Sequence, residues 1–192
     1  MIRALYDWTI DLANHPRAIW ALAIIAFIES SFFPIPPDAL LIPMILANPS
    51  KAWFYAGIAI LASVLGGLLG YAIGALAFEQ IGQPVLAALG MTQAAMDYSE
   101  NFNAVGYWAV LTAGITPIPF KVITIISGMT AMPIGLFLTT AIIARGIRFF
   151  AVATLLWFYG DRIRYFIEKQ LSWVFLLFIV ILIFGTMGVA LL

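Results

Sequence analysis

The chain has 192 residues, of which 64% are apolar and only 9% are charged, and its formal net charge is zero. This composition, with a mean hydropathy of +1.07, lies outside the range of soluble globular proteins and is typical of polytopic membrane proteins. The lack of cysteine excludes disulfides and thiolate catalysis, and His15 is the single histidine, so we expect neither a metal nor a cofactor. With no basic block, the sequence offers nothing for nucleic acid to bind.

The first apolar region, residues 18–48, is interrupted by Pro34, Pro36 and Pro37. The segment before it lacks the short basic region and the cleavage site of a signal peptide, so we expect the first helix to be retained. Proline prevents one continuous helix, and the arm after the break, residues 39–48, would be about 15 Å long, half of a hydrocarbon core of about 30 Å. The pattern predicts a re-entrant helical hairpin, which enters and leaves the membrane on one side.

Residues 52–78 form the first stretch long enough to cross a membrane. Within it, Gly66, Gly70 and Gly74 recur at four-residue spacing and give one smooth helix face. Small faces let helices approach closely in lipid, so packing against a hairpin or another span explains them better than a ligand role. Residues 81–103 mix polar and apolar side chains and are predicted to form an interfacial helix or helix-turn-helix.

Residues 102–115 and 120–132 repeat the hairpin pattern around Pro117 and Pro119. A shift of 83 residues lays Pro34, Pro36 and Asp38 on Pro117, Pro119 and Lys121. In each copy a later proline comes shortly before a long apolar span. Proline is favoured in the first turn of a helix, so it can mark the start of the span. Residues 18–78 and 102–160 therefore read as two units, each a broken hairpin and one span. Such units are expected of transporters whose sites lie between repeats.

The further spans are residues 134–160 and 171–192. The predicted fold is an all-α polytopic membrane protein with one membrane domain over residues 1–192. It contains two opposed re-entrant helical hairpins in an inverted repeat and about three transmembrane helices. With re-entrant hairpins the loop cations lie on one side, which the positive-inside rule makes cytoplasmic, together with the N-terminus. Fully crossing hairpins would move only Lys51, so both topologies stay open.

Five charged residues lie within the apolar segments, and each costs about 2.5 to 3.5 kcal/mol on insertion scales at a central position. They are Glu29, Asp38, Lys121, Arg145 and Arg148. The two arginines share one helix face because they are three residues apart. The repeat places Asp38 and Lys121 at equivalent turns, where we expect them to face each other. The formal sum leaves one positive charge, which suits an anionic ligand.

The chain resembles the DedA family, also called the VTT or SNARE-associated membrane family. The resemblance rests on "ESSFFPIPPD", on the glycine-rich "GGLLGYAIG" and on "FNAVGYWAVLTAGITPIPFKVITIISG", and it covers roughly residues 20–160. It implies two opposed re-entrant hairpins and the movement of phosphorylated lipids across a bilayer, undecaprenyl phosphate in bacterial members and phospholipids in eukaryotic relatives. Proton coupling is suspected for some bacterial members.

In this resemblance Glu29 and Asp38 match the family's two acids, and Lys121 takes the place of an arginine in the second hairpin. Many bacterial members carry a further arginine where this chain has Ile115, and glycine where it has Pro37. Arg145 and Arg148 are outside the general pattern.

We therefore expect a non-enzymatic transporter or flippase of the bacterial inner membrane for an anionic phosphate-headed lipid. Lys121, Arg145 and Arg148 are the predicted substrate-binding residues, and Glu29 and Asp38 serve proton coupling or ion pairing. Two alternatives stay open: an assembly factor with a closed ion-pair network, and a lipid-phosphate enzyme. The expected partners are membrane lipids, and homo-oligomers stay open.

Overall fold

The computed structural model describes residues 17–32, 36–116, 119–160 and 162. Within these ranges the chain is helical and contains no strand, so the predicted all-α class is confirmed. The predicted span over residues 171–192 lies outside the described ranges, as do Pro34 and Pro117 of the two proline breaks.

The helices are numbered here in chain order. They are α1 (Ala18–Ser31), α2 (Asp38–Ala47), α3 (Ala52–Ala77), α4 (Gln83–Ala88), α5 (Thr92–Ile115), α6 (Phe120–Met129) and α7 (Ile134–Gly160). A 3-10 turn, Pro49–Lys51, leads into α3, and a π-helical segment, Phe78–Gly82, joins α3 to α4. The stretches Pro49–Ala88 and Ile134–Gly160 are long and apolar enough to cross a membrane.

Prolines set the ends of the short helices. Helix α1 stops at Ser31, shortly before Pro34, while α2 begins directly after Pro37 and α6 directly after Pro119. A proline ring disfavours helical geometry at the residue before it but is tolerated at a helix start. Helices α1, α2 and α6 have 14, 10 and 10 residues, or about 21, 15 and 15 Å, which is shorter than a hydrocarbon core.

Helix α5 differs from the predicted arrangement. It runs unbroken from Thr92 to Ile115, so the arm expected from residue 102 continues a helix that begins ten residues earlier. No proline or glycine lies between residues 92 and 105 to end a helix there. The turn before it is at Gly90, whose φ of 68° is in the left-handed region that favours glycine.

Helix α3 lies between the two hairpins. It packs against α1 and α2 on one side and against α6 on another. One hydrophobic cluster joins α1, α2, α3 and α7, and a second joins α5, α6 and α7 around Phe120 and Phe137. The long helices α3 and α7 are therefore the scaffold that holds the ends of the short helices together.

Candidate functional site

Arg145 of α7 contacts both hairpins at their breaks. Its Nη2 donates to Glu29 Oε2 at 2.8 Å and to Ser30 Oγ at 3.1 Å, near the end of α1. Its guanidinium also lies over the Phe120 ring, 4.1 Å from the centroid, at the start of α6. The side chain of Arg145 is only 1% exposed. An ion pair and a cation–π contact therefore compensate a charge that is shut off from solvent.

Arg148, one turn along α7, makes a second link between the hairpins. Its Nη2 donates to Asp38 Oδ2 at 2.6 Å, at the first residue of α2. Its Nη1 donates to the carbonyl oxygen of Thr116 at 2.9 Å, where α5 ends. Unlike Arg145, Arg148 keeps 20% of its side chain exposed, and Asp38 keeps 19%. Of the two arginines, Arg148 is therefore the accessible one.

Two serines extend the inner pair into a network. Ser30 Oγ is 3.1 Å from Glu29 Oε2 and 2.6 Å from Ser63 Oγ on α3. A hydroxyl has one proton to donate, so if Ser30 donates to Glu29, it accepts from Arg145 and Ser63. Neither serine is among the site residues predicted from the sequence. Their position within apolar helices was the available signal, because a buried hydroxyl needs a partner.

Lys121 is the third cation of the cluster. It is the second residue of α6, its side chain is half-buried, and the charge of Glu29 acts on it. Among the described residues no hydrogen bond or ion pair holds its ammonium group. Lys121 therefore provides the positive charge that remains after the two arginines are paired.

The expected contact between Asp38 and Lys121 is absent from the described ion pairs, in which Asp38 binds Arg148. The repeat places the two residues at equivalent turns, but it does not specify which cation reaches the carboxylate. The long side chain of Arg148 reaches it from α7, which lies against both breaks. Asp38 Oδ1 and Arg145 Nε are buried, and no described residue forms a hydrogen bond with either atom.

The glycine face of α3 positions this cluster. A methyl group at Gly66 would collide with the backbone of Phe27 on α1, and one at Gly74 with the backbone of Ile125 on α6. A methyl group at Gly70 would meet Thr124, whose Oγ1 donates to the Ser30 carbonyl at 3.2 Å. The three glycines thus let α1 and α6 approach the same helix, with Glu29 and Lys121 at their ends.

A cavity of about 660 Å³ lies elsewhere, at the other end of α6. Its walls come from the end of α3, the π segment, α4, α5 and the turn before α7, and they include Glu79 and Glu100. None of the described residues that line it is a lysine or an arginine. An anionic ligand would find two carboxylates and no cation there, so the charged cluster at the breaks is the better candidate for a phosphate.

Comparisons with known proteins place the chain among relatives of unknown activity. The family model described as the VTT domain matches residues 35–158. An "Uncharacterized protein" of Haemophilus influenzae is 35% identical over 168 residues, which cover 88% of this chain and 87% of the relative. An "Uncharacterized protein HI0703 homolog" of Histophilus somni is 37% identical over 170 residues, 88% of each chain. No solved structure matches the chain significantly.

Proposed function

The chain belongs to the VTT-domain or DedA family of membrane proteins, and from this premise we propose that it is a transporter or flippase for an anionic phosphate-headed lipid. Undecaprenyl phosphate or a phospholipid is the proposed substrate. The lipid tail stays in the bilayer while the head group passes the charged cluster. Moving a phosphate through hydrocarbon is prohibitive unless protein groups replace its water, which guanidinium and ammonium groups can do.

The observation that carries the proposal is the charge balance at the two breaks. Glu29 is paired with Arg145 and Asp38 with Arg148, which leaves the Lys121 ammonium without a paired anion in the described part of the chain. A cation in an apolar setting is costly when uncompensated. A phosphate that binds Lys121, with Arg148 as the accessible arginine, would supply the missing negative charge. Arg145 is also part of the proposed phosphate site. Its positive charge attracts the phosphate, and its contacts hold both hairpins in place.

The proposed topology has both hairpins re-entrant and inverted with respect to each other in the bacterial inner membrane, with a cytoplasmic N-terminus. The short lengths of α1, α2 and α6 support it, because none of them is long enough to cross a hydrocarbon core alone. Helices α2 and α6, which the repeat makes equivalent, have ten residues each. The proline breaks would then meet inside the membrane and provide the polar path.

The proposal includes coupling of transport to the proton gradient through Glu29. Glu29 is 15% exposed and lies at the end of α1, where it contacts Arg145 and Ser30. A proton taken up by Glu29 would break its pair with Arg145 and free the two hairpins to move. An uncoupler should therefore slow transport by the parent protein but leave the transport rate of the Glu29→Gln variant unchanged. Transport by the parent protein that ignores the uncoupler would remove this part of the proposal.

The test is a lipid-flipping assay with purified protein in vesicles. Lipids carry a quenchable dye on the acyl chain, and a membrane-impermeant quencher reports the label in the outer leaflet. We expect the protein to accelerate flipping of a labelled phosphatidic acid at least tenfold over protein-free vesicles, and of labelled phosphatidylcholine much less. Equal rates with and without protein, for polyprenyl phosphate as well, would contradict the proposal.

The alternative of a non-transporting assembly factor is favoured by one observation, that both arginines already have an acid partner. A closed network of this kind can serve only to hold the hairpins on α7. The same vesicle assay separates the two functions, since an assembly factor leaves flipping of every lipid at the protein-free rate.

A further inference from the structure

The Asp38–Arg148 pair is held less completely than the Glu29–Arg145 pair. Arg148 contacts Asp38 through Oδ2, while Oδ1 of the same carboxylate is buried and has no hydrogen-bond partner among the described residues. Glu29 is additionally bound by Ser30, and Arg145 by Ser30 and the Phe120 ring. Replacing Asp38 on Arg148 by another anion therefore breaks fewer contacts than replacing Glu29 on Arg145.

Arg148 also has free donor capacity where the cluster is accessible. A guanidinium has five N–H donors, and within the described part of the chain Arg148 donates hydrogen bonds to Asp38 and to the Thr116 carbonyl oxygen. One-fifth of its side chain is exposed, against 1% for Arg145. Phosphate oxygens can accept two parallel N–H bonds from an arginine, whereas Asp38 accepts through one oxygen.

We propose that Asp38 is an internal competitor for the substrate phosphate, occupying Arg148 when the site is empty and determining how tightly a phosphate-headed ligand binds. This inference rests on the proposed function. When phosphate enters, its oxygens replace Asp38 Oδ2 on Arg148, with Lys121 as the second cation. When the Asp38 pair forms again, the phosphate is displaced, so the same carboxylate lowers affinity and speeds release. Asp38 then controls the affinity and release of the ligand rather than serving only as a structural anchor.

Removing the charge of Asp38 should therefore strengthen binding, which a merely structural role would not do. The probe is short-chain phosphatidic acid, titrated onto the protein in zwitterionic nanodiscs, with short-chain phosphatidylcholine as the neutral-head control. We expect Asp38→Asn to bind phosphatidic acid about tenfold more tightly than the parent protein, because Arg148 no longer has to release an anion. Turnover in the flipping assay should fall, because release becomes slower.

Two matched variants isolate the mechanism. Glu100→Gln removes the same charge at the far cavity and should leave affinity unchanged. In Asp38→Asn/Arg148→Gln the gain should disappear, since there is no arginine left to free. Unchanged or weaker binding in Asp38→Asn, with normal binding by the parent protein, would overturn the inference alone. If neither the parent protein nor any variant binds phosphatidic acid, both this inference and the proposed function are contradicted.

A measurement on the parent protein covers the case in which Asp38→Asn does not fold. With carbon-13-labelled aspartate, infrared difference spectra report the carboxylates directly. Adding phosphatidic acid should shift one aspartate carboxylate band as Asp38 leaves Arg148, and adding phosphatidylcholine should leave that band unchanged. A spectrum without any aspartate change on binding would contradict displacement.

Discussion

Arg145 and Arg148 are three residues apart on one helix, but their surroundings differ. Arg145 is enclosed by Glu29, Ser30 and Phe120 and is almost fully buried. Arg148 faces Asp38 at the accessible edge of the cluster. At the residue scale, burial therefore separates an arginine that positions the hairpins from one that can meet a ligand.

The first prediction concerns the buried pair. Glu29→Gln should lower the free energy of unfolding by about 3 to 5 kcal/mol, because it leaves the Arg145 charge buried without an anion. Adding Arg145→Met should recover much of the loss, since the buried guanidinium that lost its anion is then gone as well. Denaturant unfolding in micelles, followed by tryptophan fluorescence, measures both. The control Glu100→Gln should stay within about 0.5 kcal/mol of the parent protein. If Glu29→Gln is as stable as that control, the Glu29–Arg145 pair does not stabilise the fold in this way.

The second prediction concerns Lys121. Lys121→Gln should reduce flipping of phosphatidic acid at least tenfold while changing unfolding by less than about 1 kcal/mol, because no ion pair in the described chain is lost. Lys51→Gln is the matched control, since Lys51 is an exposed cation in the turn before α3. Equal transport by the two variants in the vesicle assay would show that Lys121 does not bind the substrate.

At the element scale, α3 is distinguished by how closely its neighbours approach it. Gly66 and Gly74 lie against backbone atoms of α1 and α6, and Gly128 of α6 lies in turn against the backbone of Tyr71 on α3. Backbone contacts cannot be relieved by a rotamer change. The Tyr71 hydroxyl adds a bond to the Met132 carbonyl at 2.7 Å, so the end of the second hairpin is fixed on the same helix.

The third prediction uses this contrast within one helix. Gly66→Ala and Gly74→Ala should each lower the free energy of unfolding by about 1 to 3 kcal/mol or more, because the new methyl group forces the helices apart. Gly57→Ala is the control. No atom of the described chain lies within 4 Å of its added methyl group, so this variant should gain about 0.5 to 1 kcal/mol in the free energy of unfolding from helix propensity. The same micelle unfolding compares all three variants. Equal effects would mean that α3 does not pack in this way.

Over the whole molecule, the two long helices are alike in length but differ in the contacts they make. Helices α3 and α7 have 26 and 27 residues. The shift of 83 residues pairs Arg145 with Ala62 and Arg148 with Leu65, and pairs Gly66 with Phe149. Close backbone packing is thus concentrated on α3, and charge on α7. Because α7 contacts both breaks through its arginines, it joins α1 and α2 to the end of α5.

The fourth prediction tests the proposed topology. The parent chain has no cysteine, so single cysteines can be labelled with a membrane-impermeant maleimide. Asn48→Cys and Arg162→Cys should label from the cytoplasmic side, and Gln80→Cys and Ala131→Cys from the opposite side. Labelling of Asn48→Cys from outside, with Arg162→Cys unchanged, would show that the first hairpin crosses the membrane and would remove the inverted repeat.

The sequence by itself determined the membrane class, the all-helical structure of the described residues, the positions where short helices begin and end, and the set of charges that must be compensated. These follow from local properties, since hydropathy and proline geometry act over a few residues. The tertiary structure alone decided which charges pair. Glu29 and Arg145 are 116 residues apart, and Asp38 and Arg148 are 110 apart. Their contact depends on the rotation of α7 against both breaks, which the spacing of charges along the chain does not specify.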